Sequence, residues 1–377
     1  MIFHMEKFVS RNATRGNSVI GRILYQALII PFVVIMLSGD ALAVQHKSFL
    51  KCFNDPAACE QPSLEADRRE RERERNRANI NKSAVKSDRP YDFAVIIGNQ
   101  TYQGRIPEVE FAHNDADAMK NLIIRRMGLS PDNIIDLREV TSAKIESVFG
   151  NHRTHEGKLW RDIDPEGRSN VTVFYSGHGV PGLKDQQSYL LPVDADPEAP
   201  EMNGFPLKVM LENLEKLNVR SVTVFIDACF SGQTQKGYLI KSASGMILKP
   251  KMPEGPFTRM TVLAAAKSDQ VASWDENSEH GLFTRHLLDA LYGAADAGDT
   301  GNNDQKVTLN EVQSYLDKYM TSAARKMYGR HQKAWIRGDG NRVLIELESR
   351  LLLLGITILF ATYPSNSLEL YIFYLLN

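Results

Sequence analysis

The stretches Val171-Thr172-Val173-Phe174-Tyr175-Ser176-Gly177-His178-Gly179 and Val222-Thr223-Val224-Phe225-Ile226-Asp227-Ala228-Cys229-Phe230-Ser231-Gly232 open on the same tetrapeptide. β-branched and aromatic residues in so dense a run favour strands. The near absence of polar alternation means that both faces of each strand are covered, as in a mainly parallel sheet with helices on either side. His178 and Cys229 each lie four residues past the matching phenylalanine. If the two strands are parallel neighbours in register, their backbones are about 4.8 Å apart and both side chains leave the sheet at the same height. That edge is the carboxyl end of the strands, where open α/β sheets bind ligands.

The same texture extends outward. Apolar runs alternate with segments of helical period: 93–97 then 112–127, 133–137 then 143–149, 171–175 then 207–217, 222–226, and 260–265 then 282–291. This alternation defines an α/β domain, expected over 91–347, with no internal repeat of domain size. The chain has 377 residues, 43% hydrophobic and 24% charged, enough for a sizeable core and unlike a disordered or multi-span membrane protein. Its 45 Lys and Arg against 46 Asp and Glu give no basic field, so nucleic acid is not an expected partner.

Residues 1–43 read as an export signal. Arg11, Arg15 and Arg22 precede the apolar run 23–37, and Ala41-Leu42-Ala43 offers small residues to a signal peptidase. The competing reading is an uncleaved anchor; both place the remainder outside the cytoplasm, in a periplasmic or extracellular setting. There, Cys52 and Cys59 could close a small disulfide loop, leaving Cys229 as the odd thiol. Residues 44–90 read as a charged spacer, since the alternating acids and arginines of 65–77 cannot face a core. The tail, 348–377, carries an apolar run at 351–360 that is short for a membrane span. It fits a docked helix or a membrane-associated end, so membrane association is an expectation for either terminus.

The chemistry gathers at Cys229 and His178. A free thiol near neutral pH is mostly protonated, and an adjacent imidazole that takes its proton makes it a competent nucleophile for acyl transfer. The flanking Gly177, Gly179 and Gly232 leave room for a substrate backbone. The N–H groups of Gly179 and Cys229 are the candidate donors to the developing oxyanion. A lone cysteine is more often a small buried hydrophobe, but the matched offset of His178 favours the catalytic reading. The spacing of His152 and His155 suggests metal only weakly, and no metal site is expected; His280 and His286 read as ordinary residues around a helix start.

Ser176-Gly177-His178-Gly179 followed by Asp227-Ala228-Cys229-Phe230-Ser231-Gly232 resembles the caspase-like cysteine peptidases, whose histidine precedes the cysteine by roughly 50 residues. Segments 94–99 with Tyr102, 114–116, 190–194 and 280–284 match in the same order. The Asp-Ala-Cys form is similar to metacaspases and bacterial caspase homologues rather than to animal caspases. The resemblance implies a three-layer αβα sandwich around a mainly parallel six-stranded sheet, and a cysteine endopeptidase acting on proteins or peptides. It also carries the pocket for the side chain preceding the cut bond (P1) over to Asp115, Ser176 and Asp227. Two carboxylates there imply cleavage after Arg or Lys. The alternative is a catalytically silent caspase-like interaction module. The basic run 233–251 lies where relatives have an interdomain loop, with Lys236 and Lys241 as the better self-cleavage sites. No cofactor is expected. The segment 299–307 leading to Glu311 hints at a calcium loop, but Thr300 and Gln305 stand where an acidic ligand and a glycine belong, so it reads as a turn before a helix. Calcium dependence, known in some metacaspases, stays as an alternative.

Overall fold

The computed structural model describes residues 89–347 apart from 235–236, 241–249 and 256–257. The expectations for the export segment, nearly all of the spacer with Cys52 and Cys59, Lys236, Lys241 and the tail lie outside the described residues.

In chain order the principal elements are β1 (Phe93–Gly98), α1 (Ala112–Arg125), β2 (Ile134–Arg138), α2 (Ser142–Phe149), β3 (Asn170–Ser176), β4 (Gly179–Pro181), β5 (Ser188–Leu190) and β6 (Phe205–Pro206). They continue with α3 (Leu207–Glu215), β7 (Ser221–Asp227), β8 (Gln233–Thr234), β9 (Gly237–Tyr238), β10 (Met260–Ala264), β11 (Trp274–Asp275), β12 (His280–Gly281) and α4 (Leu282–Asp289). Last come β13 (Lys306–Thr308), α5 (Leu309–Tyr315), α6 (Thr321–Tyr328), β14 (Trp335–Arg337) and β15 (Val343–Glu346).

Six strands form the central sheet in the order β14-β10-β7-β3-β1-β2. All neighbours are parallel except β10 and β14 at one edge. The mainly parallel sheet expected from the apolar runs is therefore present, closed at one side by an antiparallel edge strand. Every residue of β7 is buried. Alternate side chains feed two separate cores, because successive Cβ atoms point to opposite faces. On one face Ala94, Ile96, Phe174 and Phe225 meet Met119 and Leu122 of α1, Phe283 and Leu287 of α4, and Val312 of α5. On the other, Val95, Val173 and Val224 meet Ile145 and Val148 of α2 and Met210 and Leu214 of α3. This is the three-layer αβα sandwich.

Local signals account for the element ends. Thr141 caps α2 by accepting from Lys144 N–H, and Gly150 at φ +76° ends it in a conformation that favours glycine. Thr308 and Glu311 form a reciprocal capping box that starts α5. The segment before it is a turn, as expected. Asp296 accepts from Asp304 N–H and Gln305 N–H, and Glu311 accepts from Asn302 N–H and Thr308 N–H, so these carboxylates are engaged by the loop's own backbone.

Candidate active site

The register of β3 and β7 aligns the two repeated tetrapeptides residue for residue, Val171 with Val222 through Phe174 with Phe225, and on to Ser176 with Asp227. Gly177 N–H donates to Asp227 O at 3.2 Å, which extends the parallel ladder one step further. His178 and Cys229 consequently emerge together at the carboxyl edge, and both line one narrow cleft with Asp115, Ser176, Asp227 and Gly281. Its cavity is about 30 Å³, so little water is left to screen charge between its walls. A larger cleft of about 1010 Å³ lies along β14 and contains neither the cysteine nor the histidine.

Both candidate catalytic side chains are buried, Cys229 at 7% exposure and His178 at 4%. Burial pushes the Cys229 thiol up, with the nearby Asp227 charge adding to it, while the Ala272 backbone and the Arg330 charge pull the other way. Burial also brings His178 down to about 4. At neutral pH the pair is therefore thiol and neutral imidazole. His178 Nε2 lies 2.7 Å from the carbonyl oxygen of Pro107. A carbonyl can only accept, so Nε2 carries the ring proton and Nδ1 holds the lone pair.

The loop between β1 and α1, together with Tyr175 of β3, holds this histidine in place. Tyr102 lies against the imidazole with ring centroids 4.7 Å apart. Its hydroxyl oxygen accepts His178 N–H at 2.7 Å, and Tyr175 O–H donates to His178 O at 2.8 Å. The glycines on either side are packed in. A Cβ on Gly177 would stand 2.8 Å from both tyrosine hydroxyls, and one on Gly179 would stand 2.7 Å from Cys229 O. Gly179 pairs with Leu190 across β4 and β5. The bond from Leu191 N–H to His178 O flanks that pair, making it the wide type whose own N–H points off the ladder. Gly179 N–H thus faces away from β5.

Asp115, Ser176 and Asp227 are also brought together, from the first turn of α1 and the ends of β3 and β7. Ser176 O–H donates to Asp115 Oδ2 at 3.0 Å. Gly281 N–H reaches both Asp115 oxygens, at 3.1 and 3.3 Å. Thr284, at the start of α4, donates to Asp227 Oδ2 through its backbone N–H at 3.0 Å and its hydroxyl at 2.7 Å. Asp115 is 1% exposed and Asp227 7%. Burial raises both carboxyls; for Asp227 the adjacent Asp115 charge adds to the effect and brings it to about 7.

His280 stands just before α4, as expected, and what the sequence does not show is its partner: Nδ1 lies 2.8 Å from Asp115 Oδ1. Its partner is 165 residues away in the chain, so no local pattern could reveal the contact. His286 does sit inside a helix as expected, buried against Tyr315. The roles of Tyr102, the Pro107 carbonyl, Gly281 and Thr284 were likewise not assigned from sequence, although Tyr102 and 280–284 belong to the segments that carry the family resemblance. Among the described residues no cluster of three or more His, Cys, Asp or Glu side chains is arranged to hold a metal.

A parallel sheet that delivers a buried cysteine and histidine to one carboxyl-edge cleft defines an α/β protein with the layout of a cysteine-peptidase fold. The caspase domain profile matches residues 92–341, and the chain belongs to that family, which is of the cysteine-peptidase type. Among solved structures, caspase-1 from Spodoptera frugiperda is similar at 12% identity and a TM-score of 0.44, covering 70% of this chain and 93% of its own. A Geobacter sulfurreducens protein is similar at 16% identity and a TM-score of 0.45, covering 69% of this chain and 100% of its own. Comparison with curated proteins gives no significant match.

Proposed function

We propose that this protein is a cysteine endopeptidase that cuts after Arg or Lys, with Cys229 as nucleophile and His178 as general base and then general acid. The observation that carries the reading is the imidazole's tautomer: Nε2–H is committed to Pro107 O, and the basic Nδ1 belongs to a ring sharing the Cys229 cleft. In the reaction the Cys229 S–H proton passes to Nδ1 as sulfur bonds to the substrate carbonyl carbon. The carbonyl oxygen becomes an oxyanion and accepts N–H bonds from Gly179 and Cys229. Nδ1 then returns the proton to the departing amine as the C–N bond breaks, and water cleaves the thioester by the same route in reverse. Because both groups are neutral at rest, activation proceeds by proton transfer during attack rather than from a standing ion pair.

The preference for a basic P1 side chain is supported by the Asp115 and Asp227 carboxylates in the cleft wall. Thr284 occupies Asp227 Oδ2, which makes Oδ1 the oxygen offered to a ligand. An acidic P1 side chain would meet like charge in a desolvated site, at a cost of several kcal/mol. Peptides with Arg, Lys or Asp at P1, assayed on the full chain and on Cys229→Ala, test both parts. Cleavage after Arg and Lys with a loss of about 10³-fold or more in the variant fits the proposal. A preference for Asp overturns the pocket assignment, and a Cys229→Ala protein as active as the wild type overturns the nucleophile. Absence of any cleavage or labelling by an Arg-terminated electrophile favours the silent interaction module. Export follows from the reading of 1–43 as a signal, and N-terminal sequencing of secreted protein tests it.

A further inference from the structure

The paired carboxylates pose an electrostatic problem. Asp115 and Asp227 crowd the same point: a Cβ added to Gly281 would stand 2.1 Å from Asp227 Oδ2 and 3.0 Å from Asp115 Oδ2. Two buried like charges cannot both ionise without a compensating cation. Ser176, Gly281 and Thr284 supply neutral donors, which orient the oxygens but do not cancel their charge. Among the described residues, His280 is the basic side chain that meets the pair, through a contact of 2.8 Å between its Nδ1 and Asp115 Oδ1. Its ring is partly exposed, at 23%, whereas the Asp115 carboxylate is 2% exposed. It therefore joins a buried acid to the solvent.

We propose that His280 is a positioning residue for the P1 pocket: its Nδ1, 2.8 Å from Asp115 Oδ1, fixes Asp115 and favours the carboxylate form of the paired acids in a buried site before the substrate's own cation arrives. This deepens the proposed specificity for basic side chains and rests on it. The scaffold holds His280 in place independently of the carboxylates. It lies on β12, paired with β11 through Asp275, and Asn114 Nδ2 donates to the adjacent Glu279 O at 3.0 Å. The charged groups facing it are Asp115 on α1, Asp227 at the end of β7 and Asp289 on α4; Asp227 in turn faces Cys229. Among the influences on Asp115, the hydrogen bond and charge of His280 are the largest that favour the ionised form. When His280 is lost, both carboxyls hold their protons to higher pH and the pocket loses attraction for a cation.

The test uses the full chain with His280→Ala and His280→Asn, assayed from pH 5.5 to 8.5 on matched peptides ending in Arg or in neutral citrulline. Asparagine places an N–H near the position of Nδ1 without a charge. Both variants are expected to move the acid limb of kcat/KM for the Arg peptide to higher pH. The alanine variant should also raise its KM about tenfold near pH 6.5, with asparagine recovering part of that loss. The citrulline profile should stay in place. An unmoved acid limb for Arg, or an equal loss on both peptides, overturns the inference. If the alanine variant does not fold, as judged by its thermal transition, the limb shift in the asparagine variant decides alone. Failure of the underlying reading is separable, because wild-type protein that does not prefer Arg over citrulline refutes basic-P1 recognition before any variant is made.

Discussion

Tyr102→Phe probes how His178 is held. The phenol keeps the imidazole company through its ring, at a centroid distance of 4.7 Å, and phenylalanine preserves that contact. What is removed is the oxygen that accepts His178 N–H at 2.7 Å, in a residue only 7% exposed. A buried donor left without a partner costs about 1–3 kcal/mol. With a denaturant slope of about 3 kcal/mol per molar urea, the unfolding midpoint should fall by about 0.3–1 M. Tyr175→Phe is the internal control. It removes the O–H shared between His178 O at 2.8 Å and Leu191 O at 3.2 Å, but those carbonyls still accept Leu191 N–H at 3.0 Å and Asn99 Nδ2–H at 3.3 Å, so the loss should be smaller. Urea unfolding of the wild type and both variants, paired with kcat/KM on an Arg peptide, measures stability and alignment together. The Tyr102 variant should be the less stable and the less active of the two. The reverse order, or a Tyr102→Phe protein with unchanged midpoint and rate, would refute the claim that this hydroxyl anchors the histidine backbone.

Gly281→Ala should abolish processing of Arg peptides and lower the thermal transition, because its Cβ would stand 2.1 Å from Asp227 Oδ2; a fully active variant contradicts the packing of the pocket. Asp227, raised to about 7 mainly by burial, binds its proton more tightly folded than unfolded, so its contribution to stability is full below about pH 4 and disappears as pH rises through about 7. Thermal scans should therefore show Asp227→Asn gaining on the wild type across that window, and parallel curves would count against the assignment. His286 has the opposite sign: burial lowers it to about 4, and neither ring nitrogen has a partner among the described residues, so the fold loses stability as pH falls from about 6.5 through 4. His286→Leu should remove that acid-side loss and raise stability at neutral pH by about 1–3 kcal/mol, which chemical unfolding at pH 5 and 7 will check.

The arrival of His178 and Cys229 at one cleft was legible because both strands carry Val-Thr-Val-Phe and because residues buried on two faces leave little freedom for a register slip. The main helices were legible from apolar spacing, as in Ala116, Met119, Leu122 and Ile123 of α1. The strand at the sheet edge was not. Trp335–Arg337 is three residues long, partly exposed and antiparallel, so it has neither the length nor the continuous burial of its neighbours. In the site, sequence exposed the groups at the strand ends but not those arriving from elsewhere. His280 meets Asp115 across 165 residues, and the partner of His178 Nε2 is a main-chain oxygen, to which side-chain identity is blind.

That last contact also limits what side-chain substitution can reveal. The group that orients the imidazole from behind is the peptide oxygen of Pro107, which survives replacement of residue 107 by any other amino acid. An alanine survey of the cleft would therefore pass over this contact to His178. Exchanging the peptide linkage after Pro107 for an ester, which weakens the oxygen as an acceptor while leaving every side chain intact, is the chemistry that would bring it to light.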